Sequence, residues 1–180
     1  EGWNLARLVR KQEREADRLG MEVAAGEGVA VLSRFPLGPP HLHQFRSRAN
    51  PFVRRIALGT MIATPHGPVG AVSLHLSVWP RHNARQVAAL PGWVSRLTGP
   101  HPAVVGGDFN APEHRPSLAP ARALWLDTFR QVFPHGDGAT HTLRWPWGRI
   151  WRHQRLDYIF LQPGERRWVV LDARHVETPD

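Results

Sequence analysis

Val104-Val105-Gly106-Gly107-Asp108-Phe109-Asn110 is the stretch on which the reading of this chain turns. An apolar run leads straight into two glycines, then a carboxylate, an aromatic ring and an amide. The apolar part reads as a buried strand, because β-branched residues fit a pleated surface covered on both faces. Ligands of α/β sheets bind beyond the carboxyl ends of the strands, so Asp108 and Asn110 stand where a site is expected. Alternation along an extended backbone puts both of their side chains on one face and turns Phe109 toward the core. A carboxylate beside an amide oxygen suits a hard cation such as Mg²⁺. A plain Asp-Asn turn after a strand would be spelled the same way.

Outward from this stretch, short β-rich runs alternate with helical periodicity. Strands are predicted over 29–32, 56–63, 69–76, 103–105, 156–161 and 168–171, with Pro- and Gly-bearing turns at 36–40, 64–68 and 99–102. Helices are predicted over 1–20, where Leu5, Leu8, Val9, Ala16 and Leu19 fall near helical spacing and Gly20 is a stop, over 85–97 and over 117–132. Pro91 and Pro120 count against the last two. Strand pairs with helices between them predict an α/β sandwich with mixed sheets. No repeat and no linker divides the chain, so residues 1–180 read as one domain.

Composition sets the outer bounds. A chain of 180 residues buries roughly 70% of its unfolded surface, enough for a core. With 42% hydrophobic and 21% charged residues, wholesale disorder is excluded. The absence of cysteine excludes a disulfide framework, a thiolate zinc site and a Cys nucleophile. No apolar run approaches the ~18 residues of a membrane span and none reads as a signal peptide, so the cytoplasm is the expected compartment. The formal net charge is +8, and Lys11 is the sole lysine. The Arg skew reads either as the bias of a GC-rich gene or as a preference for polyanions, and both attract phosphate-rich partners.

Three further features carry chemistry. Ser73-Leu74-His75-Leu76 sets a His inside an apolar strand, where a satisfied structural His is the plainer reading. Arg155-Leu156-Asp157-Tyr158-Ile159-Phe160-Leu161 opens a hydrophobic strand with a carboxylate. Such an Asp needs a partner: a His ring oriented through its N–H, or a salt bridge to Arg155 or Arg152. Residues 140–153 interleave Trp and Arg, so that Arg144 and Trp145 suggest a surface that stacks bases and grips phosphates. The alternative there is Trp packed under the sandwich edge with solvated Arg. Arg81 and Arg85, just after the His75 strand, are also within reach of a phosphate.

Together these blocks resemble the endonuclease/exonuclease/phosphatase superfamily. Gly28-Val29-Ala30-Val31-Leu32-Ser33-Arg34-Phe35-Pro36-Leu37 resembles its G-x-A-I-L-S-R-x-P-L strand, and the His75, Gly107-Asp108-Phe109-Asn110 and Asp157 blocks follow in the family's order. The resemblance covers nearly the whole chain. It implies a four-layer α/β sandwich with two mixed, mostly antiparallel sheets, and a phosphoester hydrolase that uses Mg²⁺ or Mn²⁺. It implies that Asp108 aligns and deprotonates the attacking water, that Asn110 contacts the phosphate or the metal shell, and that His75 donates to a phosphate oxygen. Asp157 would pair with a second, C-terminal His. The implied metal set is Glu1, Asp108 and Asn110. A nuclease-like phosphodiesterase acting on nucleic acid is favoured. The alternatives are a lipid or inositol-phosphate phosphatase, with membrane lipid as its ligand, or a degenerate module that binds polyanions without cleaving them. No obligate protein partner is implied.

The family pattern opens with strands bearing an Asn and then Gln-Glu, and closes with Ser-Asp-His. Here Glu1 stands where that Glu falls, and residues 177–180 stop before the closing motif. His175 precedes the turn and is no substitute. The chain thus reads as a domain lacking its terminal strands, expected on its own to hold metal weakly and turn over slowly. An Arg frequent in the family three residues before Gln86 is here Asn83, and residues 140–153 replace a short Thr-Phe-Pro loop.

Overall fold

The apolar runs form a six-stranded mixed sheet in a computed structural model that describes residues 28–45 and 55–175. The helix expected over 1–20, Glu1 with it, and the turn over 177–180 lie outside the described residues. The strands are β1 (His41–Phe45), β2 (Arg55–Thr64), β3 (Gly67–His75), β4 (Ala103–Asp108), β5 (Leu126–Asp127) and β8 (Asp157–Gln162), in the order β1-β2-β3-β4-β8-β5. Only the β3–β4 pair is parallel. A parallel pair needs a crossover, supplied by helix α1 (Pro80–Thr98). A separate antiparallel pair, β6 (His141–Arg144) and β7 (Ile150–Gln154), completes the strands.

One face of the large sheet is the core. Ala57, Val72, Leu74, Val105, Tyr158 and Phe160 meet Val87, Leu90 and Val94 of α1 there, all buried. On the opposite face Leu58, Val69, Ala71 and Val104 are half-buried and Ile159 is exposed among the described residues. The architecture is an α/β sandwich. No helix among the described residues is long and apolar enough to cross a membrane.

Several expectations are corrected. Residues 29–32 form no strand: segment 28–40 contributes only the bridge Leu37↔Ile62 beside β2, because a β-prone run without a ladder partner does not become a strand. Residues 168–171 are likewise irregular, with Val169 and Leu171 among the most exposed apolar side chains. The helix expected over 117–132 breaks into a 3₁₀ turn (Pro116–Leu118), α2 (Ala119–Leu124), β5 and α3 (Thr128–Val132). Tertiary packing outweighs periodicity there. Trp125 is drawn inward to donate from Nε1 to Gln162 Oε1 at 3.2 Å, and Asp127 caps α3 by accepting from the Arg130 N–H. Pro120 is harmless in the first turn of α2, where its missing N–H has no role. Pro91 sits inside α1, which runs through it with Val87, Leu90 and Val94 fully buried.

Candidate active site

Strand register puts residues of three separate motifs in one line. His75 ends β3 and faces Asp108, the last residue of β4, across the parallel ladder. Asp108 in turn faces Asp157, the first residue of β8, across an antiparallel ladder. Residues directly opposed in a sheet share a face, with Cβ atoms about 5 Å apart. Arg55, at the head of β2, joins from the neighbouring strand: its Nη1 donates to His75 Nε2 at 3.0 Å.

Asn110 organises the centre of the line. Its backbone N–H donates to Asp108 Oδ1 at 2.7 Å, and its Nδ2 donates to Asp108 Oδ2 at 3.1 Å and to the Leu76 carbonyl at 2.9 Å. One residue thus fixes both oxygens of the carboxylate. The two side chains meet by a different route from simple strand alternation. Extended backbone ends at Asp108, and Asn110, at φ 48°, folds the chain back in an Asx-type turn that Asn tolerates well. Phe109 between them is fully buried.

Burial raises the Asp108 pKa above the ordinary carboxylate value; the Asn110 N–H opposes the shift, Asp157 adds to it, and His75 and Arg55 oppose it. Burial lowers the His75 pKa, as does the Arg55 charge, against the pull of Asp108 and Asp157. A guanidinium only donates, so Nε2 of His75 accepts from Arg55 and the neutral ring keeps its proton on Nδ1. Nε2 also lies 3.4 Å from Asp108 Oδ2.

Asp157 has neither of the arginine partners considered for it. Its Oδ2 accepts from the Thr140 hydroxyl at 2.6 Å, and Thr140 Oγ1 accepts from the backbone N–H groups of Leu156 and Asp157. Arg155 instead grips Asp127 with two hydrogen bonds of 2.8 and 2.7 Å. Thr140 and Asp157 line a cavity of about 420 Å³ that also takes in Phe129 and His175, whose rings stack at 4.8 Å.

The remaining candidates lie elsewhere. Arg81 and Arg85 are exposed in the first turns of α1, and Arg144 and Trp145 belong to the β6–β7 pair, not to the line. Two residues that sequence reasoning did not assign take structural importance instead. Arg55 was signalled by an arginine at the mouth of an apolar strand, a position that requires a polar partner once buried. Asn83 is 2% exposed, and its Nδ2 donates to the carbonyls of Ser77 and Phe109 at 3.0 and 2.6 Å. It ties the segment after His75 to the segment after Asp108. Asn83→Ala is expected to lower unfolding free energy by about 1–3 kcal/mol with an unchanged denaturant slope, whereas exposed Arg81→Ala stays within about 0.5 kcal/mol. Urea titration of the two variants checks this.

Asp108 and Asn110 offer hard oxygen donors, the type that Mg²⁺ or Mn²⁺ takes. They fit such an ion in kind. Among the described residues no three His, Cys, Asp or Glu side chains cluster to hold one, so the ion would need further oxygen ligands. Glu1, the third member of the expected set, lies outside the described residues.

Fold and site together define an α/β sandwich whose polar line of His, Asp and Asn side chains closes one end of its mixed sheet. The chain belongs to the Endonuclease/Exonuclease/phosphatase family, whose model matches residues 4–177 and whose members are hydrolases of phosphoester bonds. A search of curated proteins finds no match. Among solved structures, the chain is similar to D. rerio TDP2 complexed with a single-strand DNA product, with TM-score 0.60, 14% identity, and coverage of 73% of this chain and 55% of that one. It is also similar to a Bacteroides thetaiotaomicron mannosyl-6-phosphatase, with TM-score 0.53, 16% identity, and coverage of 72% and 53%. A β-hairpin deletion mutant of Staphylococcus aureus beta toxin gives TM-score 0.57, 17% identity, and coverage of 85% and 62%. These likenesses show a shared fold, and the chain spans between about half and two thirds of each relative's length.

Proposed function

We propose that the protein is a divalent-metal-dependent phosphodiesterase that acts on nucleic acid, with its chemistry at the His75–Asp108–Asp157 line. The observation that carries this reading is the register itself, which joins an imidazole, two carboxylates and the Arg55 guanidinium at one sheet edge. A phosphodiester is anionic and repels an anionic nucleophile, so the site must supply positive charge and fix the line of attack.

Asp108 serves as the base toward a water. Its raised pKa makes it a better proton acceptor than an exposed carboxylate, and Asn110 holds both of its oxygens in place. Arg55 provides the permanent cation. A phosphate entering the line competes with His75 Nε2 for the Arg55 donor. When the guanidinium turns to the phosphate, Nε2 is released to carry a proton and donate it to a phosphate oxygen. Asp157, held by Thr140, adds the negative field that favours the protonated ring. A divalent cation on Asp108 and Asn110 would add positive charge against the phosphate oxygens.

The +8 net charge supports a polyanionic substrate. The test is a panel of plasmid DNA, RNA, sphingomyelin and inositol phosphates, incubated with the full-length protein and Mg²⁺ or with EDTA. Nucleic-acid cleavage abolished by EDTA is expected. Turnover of sphingomyelin or inositol phosphates alone would reassign the substrate. Retention of nucleic acid without turnover of anything would make the chain a binding module.

A further inference from the structure

The β6–β7 pair stands outside the catalytic line and is built unlike the rest of the molecule. Residues 140–154 contain three Trp and three Arg and no acidic residue. Its tip is closed by Trp145 N–H donating to the Arg149 carbonyl and Gly148 N–H donating to the Trp145 carbonyl, both at 2.8 Å. Gly148 adopts φ 85°, which favours glycine. The Trp145 and Trp147 rings stack with 3° between planes and centroids 5.1 Å apart, and Trp151 lies 5.4 Å from Trp145. These rings are 42%, 70% and 54% exposed. The Arg152 guanidinium already lies over the Trp151 ring at 4.8 Å.

We infer that this hairpin is a binding arm for single-stranded nucleic acid, with the Trp145–Trp147 stack receiving bases and Arg144, Arg149 and Arg152 meeting phosphates. The proposal adds a second contact region to the hydrolase reading and deepens its substrate class. Three features favour that occupant. An exposed aromatic cluster of this kind marks an interaction surface. Its flat, parallel rings match unstacked bases, and a duplex would hide the base faces. Its charge is of one sign and complements a phosphate backbone.

The arm is also joined to the site. Thr140, at its base, donates to Asp157, and β7 runs into β8 across two residues. His153 Nε2 bonds Asp137 at 2.7 Å while its Nδ1 bonds Thr142 at 2.8 Å, clipping the two strands to the body. The five residues of β7 span about 16 Å, so an extended strand cleaved at Asp108 would reach the tip within a few nucleotides.

Binding of a fluorescein-labelled oligothymidylate, measured by anisotropy in EDTA, tests the arm without catalysis. Trp147→Ala is expected to weaken binding roughly ten-fold or more, and Trp147→Phe to restore most of it. Arg144→Gln with Arg149→Gln and Arg152→Gln is expected to flatten the logarithmic salt dependence by about 2. Wild-type affinity in Trp147→Ala, or an unchanged salt slope in the triple variant, would overturn the proposal. So would Trp147-dependent binding to phosphatidylserine–phosphatidylcholine vesicles with no effect on the oligonucleotide, which would make the arm a membrane contact. Because binding is read in EDTA, failure of the arm leaves the hydrolase reading standing, and inactivity on the substrate panel leaves the arm standing.

Discussion

In the full-length protein, Asp108→Asn should cut phosphodiester turnover by about 10²–10⁴-fold while leaving stability equal to or above that of the native chain. The two halves of this expectation have separate causes. Turnover falls because an amide cannot accept the proton of the attacking water. Stability follows from the sign of the pKa shift. A carboxyl whose pKa is raised by folding prefers its protonated form in the folded state, so its ionised form at neutral pH opposes folding. That cost sets in as pH rises through the ordinary carboxylate range, and asparagine removes it. The substitution also turns one Asn110 Nδ2 contact into an unfavourable donor–donor pair, while the contact from the Asn110 N–H to Oδ1 survives. Loss of one neutral hydrogen bond is worth about 1 kcal/mol, of the same order as the relief. A carboxylate present only to close an Asx turn would give the reverse pattern, with stability lost and turnover kept. Initial rates on a diester and a urea midpoint, measured on the same preparation, separate the two. Turnover within ten-fold of wild type would remove Asp108 from the chemistry.

How much of this was legible in the letters depends on range. The strand ends that carry His75, Asp108 and Asp157 are written locally, as apolar runs meeting a polar residue. Their meeting is not. It depends on a parallel pairing between β3 and β4 and an antiparallel one between β4 and β8, and register of that kind is decided by packing across the whole sheet. Arg55 escaped for the same reason: it becomes part of the site only because β2 lies beside β3. Asn83 was visible as a departure from a family pattern, but its bonds to two carbonyls on separate segments have no local signature. The helix over 117–132 shows the opposite error. Its periodicity is real, yet buried Trp125 and the Asp127 cap interrupt it through contacts made far along the chain. Residues 140–153 were read for their composition, and a register shift at Leu143–Arg144 blurs the alternation that would have announced two strands.

Gly107→Ala carries the largest structural penalty expected anywhere in the sheet, and its neighbour supplies the control. Gly107 sits at φ 137°, a conformation that L side chains rarely adopt. A Cβ built there would stand 2.0 Å from the Leu74 carbonyl oxygen and 3.0 Å from the Leu74 carbonyl carbon and amide nitrogen. Every one of those atoms is backbone of β3, so no side-chain rotation relieves the clash. The β3–β4 ladder must open at the Leu74–Gly107 pair, the rung immediately before His75–Asp108. At Gly106 a Cβ would meet the Tyr158 carbonyl oxygen at 3.6 Å and Ile159 Cγ1 at 3.7 Å, ordinary contact distances. Gly106→Ala should therefore stay within about 1 kcal/mol of the native chain. Gly107→Ala should cost about 3–5 kcal/mol, lowering the melting midpoint by roughly 6–20 °C and taking turnover down with it. Thermal unfolding of the two variants decides the matter. Equal midpoints would mean that the strand ladder beneath the catalytic line yields without cost, and that the line's geometry is not set by the backbone under it.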